Sequence, residues 1–291
     1  MRRRRFLTMA AGALAFPAFA ATPLRWRGIA LGAEARLDLA APPEIARPAL
    51  AAALAELRRA EALFSLYDPA STLSRLNRDG RLAVAPAPFL DLLDEVDQIH
   101  GQTDGLFDPT VQPVWQALAR GEGDEGWDRV GWDRVARSGA AVRLGPGQRI
   151  TLNGIAQGFA TDRVVAALRA HGLTDAFVDI GEQAALGPPC RLGLVDPVQG
   201  PVGTLTLSEG ALATSSPGAT PLGADGHILH PRGPARPLWS TVTVEARTAT
   251  LADGLSTALC LMDLPAARRL RRVSGVRRVV LVDADGDVRS L

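Results

Sequence analysis

Two short segments of the sequence combine small residues, hydroxyls and a carboxylate in patterns that suit phosphate or cation chemistry. In the first, residues 153–162, Asn153 and Gly154 form a turn between a predicted strand and a predicted helix that carries Gln157. Open backbone N–H groups and the positive end of the helix dipole would attract a carboxylate or phosphate there. The same composition is also typical of an ordinary strand-to-helix turn, and its spacing does not match G-x-G-x-x-G.

The second segment places Asp253, Ser256 and Thr257 on a predicted helix. Spacings of three and four residues bring these oxygens to one helix face within a single turn. A carboxylate with adjacent hydroxyls, without thiolate or imidazole, suits a hard cation such as Mg²⁺. The alternative is structural: Asp253 complements the helix dipole and Thr257 lies on the helix surface.

Two further side chains have chemistry of their own. His227 lies in a turn that follows the small residues 213–216, where an imidazole would serve as a general base or a phosphate ligand. An ordinary polar surface histidine fits the same pattern. Tyr67 is the only tyrosine and lies in a turn-rich segment. Its ring would either stack on a planar heterocycle or fill the turn.

The composition excludes several other chemistries. All 32 basic residues are Arg, so a phosphate-loop, Schiff-base or general-base lysine is impossible. The four histidines form no H-E-x-x-H motif, which argues against a zinc site. Cys190 and Cys260 form no C-x-x-C pair, and their spacing leaves open a disulfide or two buried thiols. An apolar fraction of 47% in 291 residues indicates a globular fold with a sizeable core.

The first twenty residues are interpreted as a twin-arginine signal peptide, which leaves residues 21–291 as one domain. Arg2–Arg5 precede an apolar stretch and an A-x-A site at 18–20, and residues 3–7 fit R-R-x-F-L. An ordinary secretory signal is the alternative. Cleavage leaves 28 Arg against 31 acidic residues, a formal charge of −3 that gives nucleic-acid binding little support. No later apolar run approaches ~20 residues, so we expect a periplasmic domain without a membrane span.

Hydrophobic periodicity predicts an α+β fold with antiparallel sheets and flanking helices. Strands are predicted as a pair over 24–40, at a segment ending at Leu152, and at 176–180, 191–195, 204–207, 240–245 and 278–282. Helices are predicted at 48–64, 89–100, a short segment ending at 118, 155–171, 249–262 and 265–273. Residues 67–80 are expected to be polar turns, and 120–140, with a duplicated Gly-Trp-Asp-Arg-Val, a surface loop anchored by Trp127 and Trp132. Strands joined by short turns favour α+β over a doubly wound parallel sheet.

Taken in order, these motifs resemble the ApbE-type FAD:protein FMN transferases over nearly all of the chain after the leader. The stretches that carry the resemblance are 30–32, 64–77, 105–110, 153–162, 213–215, 227–231 and 252–258. Such enzymes cleave the pyrophosphate of FAD and pass the FMN phosphoryl group to a Thr or Ser hydroxyl of an acceptor flavoprotein, releasing AMP. The resemblance implies a compact α+β fold related to T-fold proteins, with FAD in a central cleft.

The resemblance also implies roles for particular residues. Mg²⁺ would be bound by the carbonyl of Gly154, by Asp253 and by Thr257, with Ser256 beside them. His227 would act as the base or orient a phosphate, next to Asp253 as the second catalytic residue. The residues that would line the FAD site are Leu31, Tyr67, Leu106, Phe107, Asp108, Thr151, Gln157 and Leu229. Charge neutralisation at the bridging oxygens and in-line positioning of the acceptor hydroxyl are what phosphoryl transfer requires.

The chain departs from the family pattern at several positions. Gln157 stands where many relatives have Lys, Leu31 where Met is common, and Thr151 where an acidic residue is frequent. The acceptor implied by the resemblance is a membrane-associated electron-transfer flavoprotein, such as an ion-translocating redox subunit or the regulator that supplies electrons to nitrous oxide reductase. Two alternatives are an FAD pyrophosphatase, in which water replaces the acceptor hydroxyl, and an FAD-binding or carrier protein without turnover.

Overall fold

The computed structural model of the protein describes residues 15–16, 22–123, 125–222 and 226–291. The strands are β1 (Ala15–Phe16), β2 (Leu24–Ala30), β3 (Ala33–Leu39), β4 (Arg81–Leu82), β5 (Ala136–Ser138), β6 (Ala141–Arg143), β7 (Ala176–Asp179), β8 (Gln183–Leu186), β9 (Cys190–Asp196), β10 (Gly200–Leu207), β11 (Gly210–Ser215), β12 (Thr241–Ala246), β13 (Val276–Val282) and β14 (Val288–Ser290). The helices are α1 (Pro43–Phe64), α2 (Thr72–Asp79), α3 (Ala87–Gln102), α4 (Gln112–Arg120), α5 (Ala156–Ala170), α6 (Ala249–Leu259) and α7 (Leu264–Leu270). Apart from β1, the signal peptide predicted for residues 1–20 lies outside the described residues.

An eight-stranded antiparallel sheet forms the centre of the fold. Its strand order is β14-β13-β12-β11-β8-β7-β3-β2, and every neighbouring pair runs antiparallel. Two three-stranded sheets, β1-β9-β10 and β4-β6-β5, lie outside it. The α+β architecture with antiparallel sheets and flanking helices is therefore confirmed.

Helix α6 is buried on all sides, which matters for the polar residues it carries. It packs against β11 and β12 on the sheet and against α3 and α5 among the helices. Leu255, Ala258 and Leu259 are fully buried, as expected for such a helix, but Asp253 and Ser256 are buried as well. Buried polar groups are normally hydrogen-bonded or paired, so these two side chains need partners supplied by the fold.

Helices α5 and α6 approach most closely at Gly158. A Cβ atom on Gly158 would lie 2.4 Å from the carbonyl oxygen of Ala249 and 2.8 Å from the Cβ of Asp253. Such distances exclude any side chain, so the glycine allows the two backbones to touch. This contact places the first turn of α5 directly beside Asp253.

We expect Gly158→Ala to destabilise the protein by about 1–3 kcal/mol, because the added methyl group must push α5 and α6 apart. Gly101→Ala in α3 is the matched control, since a Cβ there meets no atom within 4 Å. Its better helix propensity should stabilise the protein by roughly 0.5–1 kcal/mol. Urea unfolding measures both variants, and a Gly158→Ala protein as stable as the parent would contradict the close contact.

Two regions differ from the sequence prediction. Residues 67–80 contain α2, which begins after Ser71, whose Oγ accepts from the Ser74 N–H at 3.0 Å. The helix has only eight residues, and two of them, Leu73 and Leu76, are apolar, which is too few to distinguish it from polar turns in the sequence. The predicted strand ending at Leu152 is wrong. Ile150 instead exchanges two 2.8 Å hydrogen bonds with the side chain of Asn77 in α2.

Sequence reasoning also missed β8 and β11, which lie next to each other in the large sheet. Both are short and rich in Ala, and β8 is buried along its whole length. A strand covered on both faces shows no alternation of apolar and polar residues, so the period-2 signal is absent.

The duplicated Gly-Trp-Asp-Arg-Val segment is more buried than a surface loop. Each copy forms one short 3₁₀ turn, at Trp127–Arg129 and Trp132–Arg134. Trp132 is only 6% exposed, and its ring N–H donates to Asp97 at 2.7 Å. The expectation of a tryptophan-anchored segment holds, but at Trp132 the anchor lies in the core.

Cys190 and Cys260 are both buried as free thiols. They belong to different apolar clusters, so of the two arrangements left open by the sequence the structure has the unpaired thiols.

Candidate active site

The turn at Gly154 is where the predicted cation ligands and the loop at 105–110 meet. A Cβ atom on Gly154 would lie 2.9 Å from the Oγ1 of Thr257 and 3.4 Å from the Cε2 of Phe107. The Thr151 N–H donates to the carbonyl of Pro109 at 2.9 Å, which ties the two loops together. The structure therefore brings Gly154 and Thr257 into contact, although about 100 residues of chain separate them.

Asp253 lies one helical turn before Thr257 and is 3% exposed. Its Oδ2 accepts a 2.9 Å hydrogen bond from the backbone N–H of Gly158. Burial raises the pKa of Asp253 to about 7, the N–H bond opposes that rise, and the nearby carboxylate of Asp162 adds to it. Among the described residues Asp253 forms no salt bridge. The site is thus short of positive charge.

The N-terminus of α5, predicted as an anion site, receives the carboxylate of Asp253. No side chain caps α5 at Ile155, so the helix begins with N–H groups available to other partners. Asp253 takes the N–H of Gly158, where the positive end of the helix dipole favours a negative charge. This bond fixes one carboxylate oxygen and the orientation of the group.

The hydroxyls near Asp253 form a small network with β11. Ser256 is fully buried; its hydroxyl lies 2.8 Å from that of Ser215 and donates to the carbonyl of Asp253 at 3.0 Å. The Ser215 hydroxyl is also 3.4 Å from the Oγ1 of Thr257. Ser256 is occupied by these protein contacts, whereas Thr257 is half-buried and lies against the Gly154 turn. Thr257 is therefore the better placed of the two hydroxyls for an outside ligand.

Several of the predicted FAD-lining residues belong to the largest apolar cluster or lie beside it. Phe107 is a buried member of the largest apolar cluster, and Leu31 and Leu106 pack against the same cluster. Leu31 has a positive φ of 50°, and its N–H donates to Glu61 in α1 at 3.2 Å. Leu229 is half-buried next to Ile228 of that cluster.

Gln157 packs against the backbone of Gly181. An ideal Cβ on Gly181 would lie 2.5 Å from the Gln157 Nε2, so the amide fills the space above this glycine. Gly181 has a φ of 95°, which also favours glycine. The first turn of α5 thus presents a neutral amide toward the segment after β7.

Asp108 and Tyr67 are placed differently from each other. Asp108 is buried and accepts bonds from the N–H and hydroxyl of Thr110 at 2.8 and 2.5 Å and from the N–H of Trp132 at 3.1 Å. Its carboxylate therefore holds the 105–110 loop on the tryptophan segment. Tyr67 is 72% exposed, so its ring is free to contact a ligand from solvent.

His227 is held against the segment that follows β11. Its Nδ1 lies 3.1 Å from the carbonyl oxygen of Pro217, and its backbone N–H donates to the same oxygen at 3.2 Å. Because a carbonyl can only accept, Nδ1 carries the proton in the neutral ring and Nε2 keeps a lone pair. Burial lowers the pKa of His227, and the backbone carbonyls of Pro217 and Thr220 oppose that shift. The ring is therefore neutral at pH 7.

Two acids near Asp253, the half-buried Asp162 and the buried Glu182, were not singled out by sequence reasoning. Asp162 accepts the N–H groups of Ala249 and Thr250 and the Thr250 hydroxyl, which fixes the start of α6. Glu182 is 7% exposed, and its Oε2 has no hydrogen-bond partner within the ranges that the structure describes. The available signal was a pair of acidic residues, Asp179 and Glu182, inside the largely apolar run 176–186, which by itself does not say what either residue faces.

No group of three or more His, Cys, Asp or Glu side chains able to hold a metal occurs in the part of the chain that the structure describes. The predicted cation ligands are of another kind, since they combine one carboxylate with a hydroxyl and a backbone carbonyl.

Nowhere in the described ranges is a helix both long and apolar enough to cross a membrane.

Together, fold and site define an α+β protein in which a buried carboxylate at a contact between two helices lies one helical turn from a hydroxyl that contacts a glycine turn. Residues 31–280 match the ApbE family, so the chain belongs to the ApbE family.

Individual relatives agree with this membership. The chain is 29% identical over 225 residues to an FAD:protein FMN transferase of Rhodobacter capsulatus, a match that covers 68% of this chain but only 43% of that protein. It is 24% identical over 242 residues to an FAD:protein FMN transferase of Haemophilus influenzae, covering 71% and 70% of the two chains. The crystal structure of the ApbE protein of Thermotoga maritima superposes with a TM-score of 0.82 at 27% identity, covering 92% of this chain and 96% of that one.

Proposed function

We propose that this protein transfers FMN from FAD to a Thr or Ser hydroxyl of an acceptor flavoprotein and releases AMP. Membership of the ApbE family and two relatives named FAD:protein FMN transferase support the reaction class. The observation that carries the proposal is the contact of Gly154 with Thr257, one helical turn from the buried Asp253, which forms no salt bridge with any described residue. This is the donor set that the reaction needs for a cation at the phosphates of FAD.

The residues present fit a Mg²⁺ ion. Asp253 has one oxygen fixed by the Gly158 N–H and no basic partner in the described part of the chain, while Thr257 faces the Gly154 turn. Carboxylate, hydroxyl and carbonyl oxygens are the ligands that Mg²⁺ prefers, together with substrate phosphates. When bound there, Mg²⁺ would neutralise charge that develops on the pyrophosphate oxygens. Asp253, Thr257 and the Gly154 carbonyl would hold it.

The remaining residues of the site bind and orient the reactants. The half-buried Leu31, Leu106 and Leu229 offer apolar surface for the flavin or the adenine, and Tyr67 is exposed as a stacking ring. Gln157 lies in the first turn of α5, where its amide would donate to a phosphate or flavin oxygen. Thr151 anchors the glycine turn to the 105–110 loop.

His227 would act as the general base. The acceptor hydroxyl oxygen attacks the FMN phosphorus, the bond from this phosphorus to the bridging oxygen of AMP breaks, and the hydroxyl proton passes to Nε2. The Nδ1–Pro217 contact leaves Nε2 unprotonated, and burial keeps the ring neutral at pH 7. Pro217 lies two residues after Ser215, whose hydroxyl contacts Ser256 and Thr257, and this neighbourhood supports the role proposed for His227.

The predicted twin-arginine leader makes the periplasm the compartment of this reaction, with an acceptor that faces it from the membrane. The leader is a sequence motif, and the proposal of export depends on it alone. Detection of the processed chain in a periplasmic fraction, and its loss when Arg3 and Arg4 are replaced by Lys, tests that part separately.

The reaction itself is tested by incubating the purified protein with FAD, Mg²⁺ and an acceptor domain that has a target Thr. We expect the acceptor to gain the mass of FMN with one AMP released per transfer, and an acceptor with Ala at the target to stay unmodified. Release of FMN and AMP at the full rate without acceptor would replace the proposal by a pyrophosphatase. Tight FAD binding without AMP would replace it by a carrier.

Thr257→Val is expected to weaken Mg²⁺ binding by about tenfold or more and to raise the Mg²⁺ concentration needed for transfer, because valine keeps the shape but removes the donor oxygen. Titration of both proteins with Mg²⁺ measures the change. Thr206→Val on the exposed strand β10 is the control and should bind Mg²⁺ like the parent. Equal affinity of all three proteins would remove Thr257 from the cation site.

A further inference from the structure

Helices α5 and α6 each bind the beginning of the other through an aspartate side chain. Asp253 in α6 accepts the N–H of Gly158, the third residue of α5, at 2.9 Å. In return, Asp162 in α5 accepts the N–H groups of Ala249 and Thr250, the first two residues of α6, both at 2.8 Å. Of the helices in the described ranges, only these two exchange such bonds. Each aspartate thus binds N–H groups that have no partner within the other helix.

The bonds to Asp162 do more than start a helix. Helix α6 already has a cap of its own, because the hydroxyl of Thr248 accepts the N–H of Leu251 at 3.4 Å. Helices α2 and α7 begin with a local cap of the same kind, from Ser71 and Asp263. Helices α1, α3 and α4 begin without any side-chain cap. What Asp162 adds is therefore a connection between α6 and α5.

This connection grips the first turn of α6 at several points. Gly158 and Asp162 are four residues apart, so they lie on one face of α5. Ala249 donates its N–H to Asp162, while its carbonyl oxygen would lie 2.4 Å from a Cβ atom on Gly158. The hydroxyl of Thr250 donates to the second oxygen of Asp162 at 2.5 Å. Together with the bond from Gly158 to Asp253, these contacts fix the position of α6 along α5 and its rotation about its own axis.

The proposed cation ligands are divided between the same two helices. The carbonyl of Gly154 belongs to the turn before α5, whereas Asp253 and Thr257 are carried by α6. A helix rises about 1.5 Å per residue, so a slip of α6 by one residue would move both of its ligands by that distance. Mg²⁺ requires its oxygen ligands at about 2.0–2.1 Å in nearly ideal octahedral geometry. The position of α6 on α5 therefore decides whether the three oxygens can bind one ion.

We propose that Asp162 is a positioning residue of the cation site, which sets the affinity for a divalent cation by holding the first turn of α6 against α5. The inference rests on the proposed function, because that function assigns the cation ligands. Burial raises the pKa of Asp162, and its hydrogen bonds from Thr250 and Ala249 oppose that rise. The role depends on where the two acceptor oxygens lie, one for each backbone N–H, and not on a charge acting on the cation.

The test is a Mg²⁺ titration of the chelator-treated full-length protein by calorimetry, without FAD or acceptor. We expect Asp162→Ala to bind Mg²⁺ about tenfold or more weakly than the parent, as is typical when a residue that supports a metal ligand is removed. Asp162→Asn keeps one acceptor oxygen and should recover part of the affinity. Asp263→Ala is the matched control, because Asp263 accepts the N–H of Ala266 at the start of α7, at 2.8 Å, and is not among the proposed ligands. It should bind Mg²⁺ like the parent.

Thermal unfolding with and without excess Mg²⁺ separates positioning from a general loss of stability. In Mg²⁺-free buffer Asp162→Ala and Asp263→Ala should both unfold at a lower temperature than the parent, because each loses hydrogen bonds at a helix start. Only Asp162→Ala should also lose most of the stabilisation that Mg²⁺ gives the parent. Thr250→Val removes just the hydroxyl bond to Asp162 and is the milder variant if Asp162→Ala does not fold. It should bind Mg²⁺ more weakly than the parent.

Two results would overturn the inference and leave the proposed function standing. The first is equal Mg²⁺ affinity in the parent and the Asp162 variants. The second is an equal loss of affinity in Asp162→Ala and Asp263→Ala, because that loss would follow from stability alone. A parent that binds no Mg²⁺ in either measurement would overturn the cation site and this inference together.

Discussion

Replacing Asp253 by Asn is expected to abolish FMN transfer and, at the same time, to make the cation-free protein more stable above neutral pH. The loss of transfer should be about 10³-fold or more, because the only carboxylate among the proposed Mg²⁺ ligands is removed. The gain in stability has a separate cause: Asp253 is 3% exposed and forms no salt bridge among the described residues. An amide of the same shape can still accept the N–H of Gly158 without burying a charge.

The sign of this stability effect follows from the pKa of Asp253, which burial raises from 3.8 to about 7. The folded protein therefore binds this proton more tightly than the unfolded chain does. The resulting stabilisation is fully present below the pKa that Asp253 has in the unfolded chain, and it is lost as the pH rises through the folded-state value of about 7. Above that pH the charged group costs on the order of 2–4 kcal/mol, which Asp253→Asn should recover.

Urea unfolding at several pH values, with and without Mg²⁺, measures both effects. The parent should gain stability from Mg²⁺ above neutral pH, and Asp253→Asn should be more stable without it but unresponsive to it. Asp285→Asn, an exposed aspartate in the turn between β13 and β14, is the matched control and should change neither property. If Asp253→Asn is less stable than the parent in Mg²⁺-free buffer above neutral pH, the fold needs the charge of Asp253 itself.

The second large effect is expected at His227. His227→Gln should lower the rate of transfer by about 10²–10⁴-fold, the usual contribution of a general base. Mg²⁺ binding and FAD binding should stay near the parent values, since the proposed cation ligands and the apolar lining are unchanged. A glutamine at this position can still donate to the carbonyl of Pro217, so the segment after β11 should keep its place.

The pH dependence of transfer tests the same assignment. A base must be neutral to accept the proton, and burial lowers the pKa of His227 below its usual 6.5. The rate of the parent should thus be flat near neutral pH and fall only at a pH below 6.5. Because the unfolded chain takes up this proton more readily than the folded protein, stability should decrease over the same acidic range.

Single-turnover transfer at saturating FAD and Mg²⁺ separates the chemical step from binding. His171→Gln is the control, because His171 is exposed at the end of α5. Among the described residues, the only hydrogen-bond partner of its ring is the carbonyl of Ala167. It should transfer FMN like the parent. If His227→Gln keeps the parent rate, or loses Mg²⁺ binding in proportion to its activity, His227 is a structural residue and another group takes the proton.

The sequence was sufficient for features that depend on neighbouring residues. Asp253 and Thr257 share a helix face because four residues make about one helical turn, and α6 begins at Ala249 as predicted. The glycine turn before α5, the β2–β3 hairpin and the α+β class were also correct, since each follows from local periodicity and turn residues. The prediction missed α2, which has only two apolar residues, and β8, which is buried along its whole length and therefore shows no alternation of apolar and polar residues.

Only the tertiary structure decided how these pieces act together. Asp253 and the Gly158 N–H that fixes it are 95 residues apart, and no local pattern encodes their contact. The burial of Glu182 and the raised pKa of Asp253 likewise depend on how α5, α6 and the sheet pack together. Local sequence determines which groups are present and on which face of a helix or strand they lie. Burial, which raises the free energy of a charged group, depends on the fold of the whole chain.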